Sequence, residues 1–197
     1  MATIRFALLY WLFAAVLAPL GAADLPAQLA ALLPEGAKFT SQSFGGSPTT
    51  AVAEFAAEKD LGSGRTVRYQ FTIRAFDTNS PAWGARASAH RKQMEARIAR
   101  SREGLAPESA NQGLFTADAV KEKATGWGSS LSQRVLHHEP QAPAYVDYYC
   151  AYFGMAGGIV FELLVSGIPD SAGAADQWAQ SVADAAGRLT VSNIGDR

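Results

Sequence analysis

The chain has 197 residues, with 17 basic against 18 acidic side chains and a single cysteine. A near-neutral balance gives no electrostatic basis for a nucleic-acid partner, and one cysteine excludes an internal disulfide. The length suits one domain with a core of its own, so stability must come from packing.

The chain opens with "MATIRFALLYWLFAAVLAPLGAAD". Arg5 precedes an apolar run from Phe6 to Leu20, and the small residues Gly21, Ala22 and Ala23 follow. This is the plan of a secretory signal peptide, with cleavage expected after Ala23. The run is shorter than the ~20 residues that span a bilayer as a helix. Retention as a membrane anchor is the alternative. Loss of residues 1–23 removes Arg5 and no acidic residue, leaving 16 of the 17 basic residues against 18 acidic, a formal charge of −2. The expected organisation is a signal peptide over 1–23, a single α+β domain over 24–189 and a flexible tail over 190–197. The expected location is the periplasm or the extracellular space.

Asp24 to Leu33 reads as a short helix with Leu25, Leu29 and Leu32 on one side. Lys38–Phe44 and Thr49–Ala57 read as strands on either side of the turn signal "GGSP". Arg65–Phe76, "RTVRYQFTIRAF", is the clearest strand: Val67, Tyr69, Phe71 and Ile73 alternate with Arg68, Gln70, Thr72 and Arg74. Ser80 and Pro81 then supply a capping hydroxyl and a residue that needs no N–H, the start of a helix. It runs to Glu103 and stops at Gly104, with Trp83, Ala87, Met94 and Ile98 on its core stripe.

From Ala106 to Gly126 the pattern is weaker. "PESANQG" is loop, and "TADAVKEKA" suits a two-turn helix capped by Thr116. Trp127–Glu139 reads as a strand with Leu131 and Val135 on one face, ended by "PQAP". Tyr145–Met155 and Ile159–Ser166 flank "AGG" and form a hairpin. Asp170 or Ser171 caps a last helix to Ala186, with Gly187 past its end. Ala175, Trp178, Val182 and Ala185 share its inner face.

The order βββαβββα predicts an antiparallel sheet of about six strands with two long helices packed on one face. The same order is similar to that of the α-β-α sandwiches typified by the photosystem accessory PsbP proteins and the nuclear import factor Mog1. The resemblance lies in element order and carries no function across.

The last hairpin fixes the environment of the cysteine. A turn at Ala156-Gly157 sets Cys150 opposite Leu163, and a turn at Gly157-Gly158 slides the pairing by two. Either way Cys150 points into the apolar face. No Lys or Arg lies between residues 140 and 160, so nothing favours a thiolate and an inert core thiol is expected.

Two of the three histidines fall in "VLHHEP", Val135 to Pro140. Neighbours on a strand point to opposite faces, so His137 and His138 cannot share a metal that needs converging ligands. His138 also shares its face with Arg134, which disfavours a cation. A strand ending before His137 would instead let His138 and Glu139 meet His90. The expected reading is a satisfied His137 at a strand terminus and a solvated His138, with no metal and no cofactor assigned. A Gly-x-Ser-x-Gly elbow, a phosphate loop and a Cys-x-x-Cys pair are all missing from the sequence.

Two surfaces carry the expectations for binding. The helix over 81–103 holds Arg86, Arg91, Lys92, Arg97, Arg100 and Arg102 against Glu95 and Glu103, with Arg86, Arg97 and Arg100 along one flank. Either these stems cover the rim of the core, or the helix docks an anionic protein or membrane surface. The other surface is the sheet face turned away from the helices, with Arg68, Arg74, Arg134, Tyr149, Phe153 and Glu162 by parity. The expected function is an exported, non-catalytic binding or accessory protein. The alternatives are a hydrolase-like enzyme using carboxylates with His137 or His90 in a sheet–loop pocket and, third, a metal-binding protein.

Overall fold

The structure, a computed structural model, describes residues 31, 33–62, 64–106, 115–138, 143–169 and 171–186. The expected signal peptide, most of the expected helix over 24–33, Glu139, the candidate cap Asp170 and the tail over 190–197 lie outside these residues. A first meander, β1 (Lys38–Ser47), β2 (Thr50–Gly62) and β3 (Arg65–Phe76), leads into α1 (Trp83–Glu103). Two short strands, β4 (Phe115–Ala117) and β5 (Lys121–Thr125), precede a second meander. That meander is β6 (Gly128–His137), β7 (Tyr145–Ala156) and β8 (Ile159–Ile168), followed by α2 (Gly173–Ala186).

All eight strands form one antiparallel sheet in the order β1-β2-β3-β8-β7-β6-β4, with β5 also on β6. The sheet therefore has eight strands rather than about six. The difference is "TADAVKEKA", which is not a helix. Thr116 lies opposite Leu136 and Lys123 opposite Ser130, and between them Asp118 N donates to Arg134 O at 2.9 Å. Ala, Glu and Lys favour a helix locally, but the outer edge of β6 is a row of backbone donors and acceptors that need partners. Tertiary pairing prevails over propensity here.

The helices lie on opposite faces, a second correction. Along β7 every residue from Cys150 to Gly154 is buried, so both faces of this strand need a cover. Cys150 and Tyr152 enter a large core with Phe55, Phe71, Phe161, Leu163 and Trp178 of α2. Ala151 and Phe153 point the other way, into a smaller cluster with Leu131 and Ile98 of α1. The layers are helix, sheet, helix.

The two helices are held differently. α2 buries Ala175, Trp178, Ala179, Val182, Ala183 and Ala186. Trp178 sets its edge on Tyr69 and Phe71 at centroid distances of 5.2 and 5.7 Å. Tyr152 Oη and Ser130 Oγ both donate to Asp176 Oδ1, at 3.0 and 3.3 Å, which fixes the helix along its axis. α1 is longer but buries only Ile98. It also starts later than its sequence suggests. Ala82 occupies the cap position without a side-chain bond, and Ser80 contributes its carbonyl, accepting from Trp83 N at 2.9 Å, rather than its hydroxyl.

The last hairpin turns at Gly157-Gly158, with Ala156 opposite Ile159 and Cys150 opposite Val165 rather than Leu163. Gly157 has φ +56°, a left-handed conformation that a tight hairpin turn requires and glycine adopts without strain. The two candidate registers differ by two residues, so Cys150 keeps its side of the sheet.

Candidate functional site

α1 seats on β6 and β7 through Ile98, crosses the end of β3 at Phe76, and leaves the rest of the first meander uncovered on the same face. Ser41 and Ser43 of β1, Glu54 and Ala56 of β2, and Gln70 and Thr72 of β3 point outward there. With Glu162 and Leu164 of β8 and Arg97 of α1 they line a cleft of about 390 Å³. Further along, beneath α1, lies a smaller recess of about 110 Å³. Arg74, His90 and Gln93 line it together with the apolar side chains of Met94, Phe153 and Val160. The Arg97–Glu162 ion pair lines both spaces and stands between them.

Most charges around the cleft are already matched. Arg97 holds Glu162, and Arg68 holds Glu58 at 3.1 Å on the exposed rim. Arg86 Nη1 donates to the hydroxyls of Thr49 and Thr50, each at 2.8 Å, tying the first half of α1 to the start of β2. Ser43 Oγ donates to Glu54 at 3.4 Å. The floor is left with hydroxyls, amides, one apolar patch and the carboxylate of Glu54, which has a serine hydroxyl but no cation beside it. His90 rests on the Phe76 ring at 4.7 Å between centroids. Burial lowers its pKa first, then the Arg74 charge, while a bond the ring donates to Gln93 pulls the other way and Arg86 lowers it further. At neutral pH it is an uncharged imidazole.

The residues singled out in the sequence are redistributed. Arg68, Arg74, Tyr149, Phe153 and Glu162 do share one face, but it is the face carrying α1 rather than one free of helices. Phe153 is 2% exposed and sits beneath α1 as core. Tyr149 is half-buried, and burial raises its pKa, with the Asp147 charge adding to the effect. Arg134 lies on the opposite face. The β6–β7 register sets Gln133 against Tyr149 and Arg134 against Tyr148, and Arg134 pairs with Asp118 at 3.6 Å. Parity within one strand could not reveal this, because faces of two strands are matched only once their register is known.

On α1, Arg97 lines the cleft, Arg86 is tied to Thr49 and Thr50, and Arg100 is exposed. Arg102 grips Glu122 of β5 through two bonds of 2.6 and 3.0 Å. Sheet carboxylates thus neutralise two of the helix's six cations, which reduces the field available to an anionic surface.

His90 and His138 are not brought together. Phe76, beneath His90, donates from its N to Gly158 O at 2.8 Å, at the end of the sheet where β6 begins. His138 follows the last residue of the ten-residue β6. At ~3.3 Å per residue the two ends are about 30 Å apart. His138 is exposed, 3.4 Å from Thr116 Oγ1. Among the described residues no three His, Cys, Asp or Glu side chains converge as metal ligands.

One cluster was invisible in the sequence. Asp147, 7% exposed, accepts from Arg65 Nη2 at 2.5 Å, and His137 Nε2 lies 3.4 Å from its other oxygen without an aligned hydrogen bond. The ring of Tyr145 carries Arg65 at 4.4 Å and stacks on His137 at 4.5 Å. Arg65 and Asp147 are 82 positions apart, so spacing gave no signal. Cys150 is a core thiol as expected, 2% exposed, its pKa pushed up to about 12 by burial, against the pull of a bond from Tyr152.

No protein-family model, curated protein or solved structure matches this chain. Among the described residues no helix is long and apolar enough to cross a membrane.

Proposed function

We propose that this chain is an exported, non-catalytic binding protein whose ligand or partner occupies the cleft between α1 and the first meander. The observation that carries the reading is the uneven cover of one sheet face. α1 shields the second meander and leaves a cleft of about 390 Å³ over the first. Its floor of Ser41, Ser43, Gln70 and Thr72 suits an uncharged polar ligand or the backbone of an extended peptide, since hydroxyls and amides both donate and accept. The inertness of Cys150 and the matched state of Glu162 support binding over catalysis.

Amide NMR of the mature chain, residues 24–197, titrated with short neutral peptides and oligosaccharides tests this. Shifts should gather at Ser41, Ser43, Gln70 and Thr72 and vanish when Ala56→Trp fills the cleft. Shifts confined to α2, or unchanged by Ala56→Trp, overturn it. N-terminal sequencing of the exported protein should begin at Asp24.

A hydrolase is the second reading, favoured by the approach of His137 to Asp147. A general base oriented by a buried carboxylate has this form. Arg65 already neutralises Asp147, however, which suits an anchor between β3 and β7 better than a catalytic dyad. Ester or glycoside hydrolysis that His137→Gln removes would favour the enzyme.

A further inference from the structure

We propose that the recess beneath α1 binds a small monocarboxylate through Arg74. Four arginines are half-buried among the described residues: Arg65, Arg74, Arg86 and Arg134. Arg65 holds Asp147, Arg86 holds two threonine hydroxyls and Arg134 holds Asp118. Arg74 alone of the four has no ion pair or hydrogen bond among the described residues. Its guanidinium meets water and has no protein acceptor, so its planar fork is free to take a carboxylate through two parallel bonds.

The surroundings complete the case. Arg74 opens into a recess of about 110 Å³, and a bound water needs only ~10–15 Å³ by this measure, so a ligand of several heavy atoms fits. Gln93 and the neutral His90 line the recess as further polar groups, and Met94, Phe153 and Val160 give an alkyl tail an apolar wall. Glu162 on the same wall is neutralised by Arg97. Among the residues lining the recess the remaining charge is the single positive one of Arg74, which one carboxylate balances. A phosphate dianion would exceed it, and its second charge would face Glu162. The proposal concerns a recess other than the wide cleft and stands on Arg74 rather than on the hydroxyl floor.

The test uses the mature chain at constant ionic strength, with butyrate, inorganic phosphate and chloride as probes. Butyrate should shift the amide and side-chain signals of Arg74, His90 and Gln93. It should also raise the pKa of His90, read from the imidazole proton signal across pH, because an anion beside the ring favours the imidazolium. Arg74, Arg86 and Gln93 face that ring, with Arg97 and Glu162 across the recess, so the titration is repeated in Arg74→Met and Arg74→Lys. Arg74→Met should weaken butyrate about tenfold or more, and Arg74→Lys should weaken it less. Both should keep the parent's melting temperature and its peptide shifts at Ser43 and Thr72. Equal responses to chloride and butyrate, butyrate binding undiminished by Arg74→Met, or no response in the parent overturn the proposal. Phosphate binding more tightly than butyrate overturns the monocarboxylate assignment. Loss of the cleft response at Ser43 and Thr72 is a separate failure, of the reading above.

Discussion

Replacing Ile98 with alanine should release the second half of α1 while leaving the sheet intact. Ile98 is the only buried residue of the helix and seats on Leu131, Ala151 and Phe153, with Met94 and Leu105 half-buried beside it. The first half is held elsewhere, by Arg86 on two threonines and by Trp83 and His90 against Phe76. Truncation removes three carbons, about 2.4 kcal/mol at ~0.8 kcal/mol per methylene. The seat adjoins an open cleft, so the vacated space collapses or fills with water and the cavity adds little. The total then lies in the lower part of the ~2–5 kcal/mol range for such truncations. A loss of about 2–3 kcal/mol raises the locally open population roughly 30- to 150-fold, at 1.4 kcal/mol per tenfold. Hydrogen exchange read by mass spectrometry should show that acceleration in peptides spanning 94–103. Peptides spanning 67–75 and 159–166, in β3 and β8, should keep their rates. Acceleration spread evenly over the sheet, or none in 94–103, refutes the idea that Ile98 is the chief apolar anchor of this half of the helix, beside the Arg97–Glu162 and Arg102–Glu122 ion pairs.

Gly154→Ala would drive a methyl into the ring of Phe161; it should cost about 1–3 kcal/mol by overpacking, visible as a lower melting temperature, and Phe161→Leu in the same chain should restore part of it. Asp176→Ala strips the acceptor from the buried Tyr152 hydroxyl and from Ser130. About 1–3 kcal/mol should be lost in urea unfolding, and Asp176→Asn, which keeps a carbonyl oxygen, should recover much of it. Native protein should leave Cys150 unalkylated at pH 8, where a pKa of about 12 leaves about one thiol in ten thousand ionised, and should take up one equivalent of reagent in denaturant. Because the folded pKa lies above the ordinary 9.0, the thiol's contribution is complete below pH 9 and is lost as pH rises toward 12. The slope is about 1.4 kcal/mol per pH unit, and Cys150→Ala should flatten the alkaline limb of a stability–pH curve.

The strands were legible wherever one face was polar. Val67 to Ile73 alternate with Arg68 to Arg74, and β3 runs over the residues that this alternation marks. β4 and β5 were not legible, because their pairing is dictated by the empty edge of β6 rather than by residues 115–125 themselves. The side taken by each helix was open to a closer reading: an uninterrupted buried run in "CAYFG" signals a strand covered on both faces. Arg74 stood out in the sequence for its alternation, yet its solitude emerges only from coordinates, since partners such as Glu162 for Arg97 lie far away along the chain. The same holds for Arg65, Asp147 and His137, where no local pattern joins the three.

Within each meander neighbouring strands are close in sequence, as with Phe55 opposite Phe71, but the β3–β8 ladder sets Arg68 against Ser166. Among the described residues that ladder is the one seam of backbone pairing between the two meanders. A second molecule can offer the same β8 edge, so crowded refolding should yield intertwined dimers that exchange halves, whereas dilute refolding closes each chain on itself. Slow conversion of the dimer into monomer on dilution would mark the exchange, because β3 and β8 must part before either chain can recover its own half.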